Sequence, residues 1–215
     1  AVDGYTTLAD YVSRMPESQK YIYYACGETA EKIQALPQTE LCKDKGYEFL
    51  YFTDDIDEFV AKSLITYGEK TIMSIADEHA ELQSDEEKEK TEKQTQENKE
   101  LLDFVAEKLK DKVTKAVISK NLKSHPVCLS AEGAITKEME KSFPQTPGDE
   151  PKPKASKVLE LNADHPAFEA LKNAYESDKE KAGKLAEILY NQGLLIAGLP
   201  LEKPVEYCDL VCSLF

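Results

Sequence analysis

Residues 76–99 contain one large apolar residue, Leu82; every other position is charged, polar or small. Such a stretch buries too little apolar surface to join a core, so the parts on either side of it must each build their own. The 215 residues therefore divide into a small α/β segment over 1–76, a charged helical linker over 77–100 and a second domain over 101–215, with a flexible loop at 144–156. Within the linker Glu86 stands four residues before Lys90 and Glu89 four before Lys93, pairings that support a solvated helix.

In the first segment β-rich runs alternate with helical pattern. Residues 21–25 (YIYYA), 48–52 (EFLYF) and 71–75 read as strands. Between them, one helix stops before Pro37, a short one ends at Gly46, and a third is capped at Thr53 and Asp54. This third helix carries Ile56, Phe59, Val60 and Leu64 at helical spacing. The β-α-β-α-β order predicts a parallel sheet with right-handed crossovers.

The second domain predicts an α+β fold. Leu101, Leu102, Val105, Leu109 and Val113 form one apolar helical stripe, followed by strands at 115–119 and 127–130. Ile135, Met139 and Phe143 give a narrow strip on an otherwise polar helix, bounded by Gly133 and by a Pro-rich stretch. After a strand at 157–162, Asp164 with Pro166 caps one helix and Ser177-x-x-Glu180 opens the next. The last helix begins near Pro204 and shows Val205, Cys208, Val211, Cys212 and Phe215.

Composition narrows function mainly by exclusion. A formal net charge of -14, with no Lys/Arg cluster clear of acids, disfavours nucleic acid and anionic membrane. The longest apolar run, at 193–201, is under half of the roughly 20 residues a spanning helix needs. Five scattered cysteines fit a reducing, cytoplasmic compartment better than a disulfide framework. The strand-to-helix turns lack the glycine patterns that let backbone approach phosphate, so no nucleotide site is expected. Asp54, Asp55 and Asp57 have the oxygen chemistry of a magnesium site but suit better the first turn of a helix, whose dipole favours acids there. His79, His125 and His165 lie apart, and Cys208 with Cys212 supplies only half of a four-ligand zinc set. No catalytic residue, metal or cofactor is predicted for this chain.

Four phrases, LADYVSRMPESQKYIYYACGE, GYEFLYFTDDIDEF, VLELNADHPAFEAL and LAEILYNQGLLIAGLPLEKPVEYCDLVCSLF, resemble in order the bacterial branch of the heat-shock protein 90 family of stress chaperones. The resemblance implies the end of a middle domain joined to a C-terminal dimerisation domain, whose terminal helices form an intersubunit four-helix bundle. ATP, magnesium and the ATPase activity would belong to parts upstream of Ala1, and the chain itself would be no enzyme. It further implies a homodimer interface at Leu185, Ile188, Leu189, Leu195, Ile196, Tyr207, Val211 and Leu214, with some of these also filling the protomer core. Unfolded or partly folded clients would be held by Glu58 and Phe59 and by Ile135, Met139, Ser142 and Phe143. Phe59 departs from the tryptophan usual in that branch and Ser142 from a large apolar residue. The chain does not carry the acidic tail that binds tetratricopeptide co-chaperones. Two readings outside this one are a nucleotide- or metabolite-binding α/β enzyme domain and a purely structural dimerisation module.

Overall fold

The computed structural model describes residues 4–54, 56–77, 80, 82–133, 135–136, 139–140 and 155–214. It divides into two compact units, Ala1–Leu82 with Ala131–Ala155, and Gln83–Ser130 with Ser156–Phe215.

The first unit is built on strand β1 (Ile22–Cys26), which runs parallel to β2 (Phe49–Phe52) on one side and to β4 (Lys70–Ser74) on the other. A short strand β3 (Thr66–Tyr67), not expected from the sequence, pairs antiparallel with β4, giving the order β2-β1-β4-β3. Four consecutive residues of β1, Ile22 to Ala25, are buried, as befits a central parallel strand covered on both faces. Its alternation assigns the faces. Tyr23 and Ala25 pack with Ile33 of α2 (Ala30–Gln34) and with Leu41 and Cys42 of α3 (Thr39–Asp44). Tyr24 points the other way, to α4 (Asp57–Leu64). Gly27 is required where β1 turns toward α2, because a Cβ there would lie 2.8 Å from Cγ1 of Ile33.

Helix α1 (Leu8–Arg14) is pinned by Tyr11, which is fully buried. Its hydroxyl donates to the Glu48 carbonyl and accepts from Gln19 Nε2 at 2.7 Å and from the Tyr23 amide at 3.1 Å. Burial pushes the phenol up to about 12, so it remains a neutral donor.

In the second unit α5 (Asp85–Glu97) opens with a reciprocal capping box between Ser84 and Glu87. The sequence marks this helix as a linker. It is instead docked on its own unit, for Lys90 and Gln94 both bind the Asp164 carboxylate, at 2.5 and 2.9 Å. Helix α6 (Lys99–Lys108) buries the expected Leu101, Leu102 and Val105. Strands β5 (Lys115–Ile118), β6 (Val127–Glu132) and β7 (Ser156–Leu161) follow, in the order β5-β7-β6 with β5 parallel to β7.

The chain ends in α7 (Pro166–Ser177), α8 (Lys179–Ile196) and α9 (Pro204–Cys212). Two expected caps are displaced by one residue. His165, not Asp164, caps α7, accepting from the Ala167 amide through Nδ1 at 3.1 Å, because Asp164 is occupied by Lys90. Asp178, not Ser177, caps α8, accepting from the Glu180 and Lys181 amides at 3.0 Å, while Ser177 donates back to the Asn173 carbonyl. The core joins α6, the sheet, α7 and α8 through residues such as Val105, Leu129, Leu159, Leu171 and Leu189.

Candidate functional site: two exposed apolar faces

Helix α4 turns its apolar stripe outward. Its apolar residues Ile56, Val60 and Leu64 recur every fourth position and face solvent, with Ile56 65 % and Val60 54 % exposed. Ile65, exposed and held at φ 57°, and Tyr67 of β3 add further exposed apolar surface immediately after α4. The inward face holds Ala61 and, 4 % exposed, Glu58. The Glu58 carboxylate is accommodated because β1 supplies two donors: the Tyr24 hydroxyl donates to Oε1 at 3.0 Å and the Cys26 thiol to Oε2 at 2.7 Å. Burial, with Glu58 nearby, pushes the Tyr24 phenol well above its ordinary range and keeps it a donor.

Glu58, expected as a contact residue, is therefore corrected to an internal one, and Phe59 is half-buried. Sequence spacing could not separate the two faces of α4, since i, i+4 periodicity marks a stripe without saying which way it turns. The partners that turn Glu58 inward lie more than thirty residues away on β1.

Of the second expected contact strip, Ile135 is half-buried and Met139 is buried, so Met139 is not an exposed contact in this chain; Ser142 and Phe143 lie outside the described residues. Glu140 accepts from the Ala155 amide at 2.9 Å, a bond that joins the two ends of this segment.

The other exposed face lies on the last two helices. No residue of α9 is buried, although it carries Val205, Tyr207, Leu210 and Val211. Val205 is 72 % exposed, Leu195 of α8 and the thiols of Cys208 and Cys212 are exposed, and Tyr207, Val211 and Leu214 are half-buried. Ile188 and Leu189 are buried within the protomer and Leu185 and Ile196 pack partly against its core, which removes Ile188 and Leu189 from any free surface. Val205, prominent in the sequence stripe but outside the expected interface set, is the most exposed apolar residue of this face.

Chemistry-bearing arrangements are scarce. Among the described residues no group of three or more His, Cys, Asp or Glu side chains could hold a metal ion, and no helix is long and apolar enough to cross a membrane. The Asp57 carboxylate accepts from the Asp54 amide at 3.1 Å and ties the acidic trio into the turn before α4, whose N-cap is Ile56 and not the expected Thr53 and Asp54, with no side-chain cap bond. None of the five cysteines is in a disulfide.

A family model described as Hsp90 protein matches residues 1–215. The chain is 52 % identical over 208 residues to the chaperone protein HtpG of Clostridium acetobutylicum, covering 97 % of this chain and 33 % of that protein. It is 48 % identical over 207 residues to the chaperone protein HtpG of Bacillus subtilis, again covering 33 % of the relative. The chain thus spans about a third of the length of the curated relatives it matches. A match to the Hsp90 model along the whole chain, together with half-identity to HtpG chaperones over nearly all of it, establishes that this chain belongs to the Hsp90 family.

Proposed function

We propose that this chain is the dimerising and client-contacting part of an ATP-dependent cytoplasmic chaperone that assists protein folding under stress. The observation that carries the reading is α9, a terminal helix with four large apolar residues and none of them buried. A second copy related by a two-fold axis would cover the exposed faces of α8 and α9, with Leu195 and Val205 at its centre and Tyr207, Val211 and Leu214 beside them. Fold of the second unit as a dimerisation domain, and a four-helix bundle from α8 and α9 of two protomers, belong to this proposal. ATP, magnesium and hydrolysis fall to the remaining two-thirds of such a chaperone, and no catalytic role is assigned here.

Clients are unfolded or partly folded proteins. The α4 face, with Ile56, Val60, Leu64 and Phe59, offers them adaptable apolar contact, and the half-buried Ile135 adds to it. Nucleic acid, membrane and tetratricopeptide co-chaperones are not partners in this reading.

Sedimentation equilibrium over a wide concentration range tests it. A mass near twice 24.1 kDa that persists on dilution is the expected result. A monomer at all concentrations refutes the dimer. Replacing Leu195 and Val205 by Asp should dissociate it, and crosslinking to an unfolded client should survive that change.

A further inference from the structure

We infer that Cys208 and Cys212 from two copies of the chain together form an intersubunit four-thiolate site for zinc; the inference rests on the dimer reading above and deepens it. Both thiols are exposed on α9, four residues apart and therefore on one side of the helix. Val205, 72 % exposed, continues the same outward row one turn earlier. Tyr207, Leu210, Val211 and Leu214 are half-buried on the opposite side. Val205, Cys208 and Cys212 thus have the three-then-four spacing of a seam between two helices, and within the protomer nothing covers them.

Two thiolates are half of the tetrahedral four-sulfur set that zinc takes. One chain does not complete it, since among the described residues no three His, Cys, Asp or Glu side chains are grouped to hold a metal ion. A two-fold axis does, because in an isologous contact the row meets its own copy. An axis running along the row sets each thiol against its counterpart. One crossing the row at the level of Leu210 sets Cys208 against the counterpart of Cys212. Both bring four sulfurs into one layer. Cβ atoms four residues apart on a helix stand about 5–6 Å from each other. Rotation about χ1 brings their sulfurs to the separation of about 3.8 Å that follows from a tetrahedral ion with Zn–S bonds of roughly 2.3 Å.

Charge agrees with this assignment. Helix α9 carries Glu206 and Asp209 and no Lys or Arg, and Lys203 just before it is paired with Glu206. A divalent cation therefore enters a negative field with no free ammonium on the helix to oppose it. In the reducing compartment of the proposed function the four groups stay thiols rather than disulfides. Each gives up its proton to solvent on binding, four per zinc, and no electron is transferred.

The test uses the 215-residue chain, stripped with a chelator and kept under a non-thiol reductant, in sedimentation equilibrium with and without zinc chloride, with cobalt(II) as the spectroscopic probe. Expected are one zinc per two chains and a sulfur-to-cobalt charge-transfer band with the intensity of four thiolates per ion. The dimer dissociation constant should fall roughly 100-fold when free zinc is about 100-fold above its own dissociation constant. Cys208→Ala with Cys212→Ala keeps small apolar side chains in the seam, and should abolish the band and the response to zinc while the metal-free dimer persists. The inference is overturned by one zinc per chain, by a band that survives the alanine pair, or by a dimer constant that zinc does not move. A zinc-insensitive dimer removes the site and leaves the dimer reading standing, whereas a monomer at every concentration with and without zinc removes both.

Discussion

Replacing Ile56 and Val60 by Ser separates a contact surface from a packing surface on the same helix. Full burial of an Ile or Val side chain is worth about 1.5–3 kcal/mol, and these two already stand 65 % and 54 % exposed, so a client that covers them recovers roughly 1–2 kcal/mol from each. The double variant should therefore weaken client binding by about 10- to 100-fold, after allowance for ordering costs that fall away with the contact. Folding stability should hardly move. Ser and the β-branched residues differ little in helix propensity, and both side chains stand mostly in solvent, so the change should stay within about 0.5 kcal/mol. Fluorescence anisotropy with an unfolded polypeptide measures the first quantity and urea unfolding the second. A variant that unfolds at clearly lower urea would show that the stripe is buried in the working protein. One that keeps both stability and affinity would refute its role in client contact.

The two glycines inside α8 should respond oppositely to Ala. At Gly183 a Cβ meets only the flexible Lys108 chain at 3.7 Å, so Gly183→Ala should raise stability by about 0.5–1 kcal/mol through helix propensity. At Gly193 it lies 3.1 Å from Cγ of the fully buried Leu129, and overpacking of about 1–3 kcal/mol should outweigh the same gain, lowering the urea midpoint. Tyr11→Phe removes one hydroxyl that serves three partners and should cost about 2–3 kcal/mol by urea unfolding, since the Tyr23 amide and the Glu48 carbonyl lose their bond in a buried site. The Lys90 ammonium holds the Asp164 carboxyl below its ordinary value, so its contribution is present above the unfolded value near 3.8 and lost as pH falls through the folded one. Asp164→Asn should flatten that acid limb by less than about 1 kcal/mol, the pair being exposed to solvent; an unchanged limb would refute the docking of α5 through Asp164.

Helices α6 and α8 and the three parallel strands of the first unit are legible in the sequence because each rule involved is local. Apolar residues of α6 recur at helical spacing, Gly27 and Pro37 punctuate, and β-rich runs alternate with helices. The cap of α7 falls one residue past Asp164 for a non-local reason, because the Asp164 oxygens are taken by Lys90 and Gln94, seventy or more residues earlier. The charged segment illustrates the same limit: its composition predicts a solvated helix, and the pairing with Asp164 ties it to a folded unit.

Phrases and local patterning sufficed for the family and for most of the elements, because both survive without coordinates. Tertiary structure decided which face of each helix is available. Glu58 turns inward because Tyr24 and Cys26 wait on the sheet, and that rotation leaves Ile56, Val60 and Leu64 outside. Likewise Ile188 and Leu189 are buried in the protomer while Leu195 and Val205 remain exposed. Periodicity states that a helix has an apolar side; only the donors and side chains brought opposite it, from far along the chain, settle whether that side is buried or left for a partner.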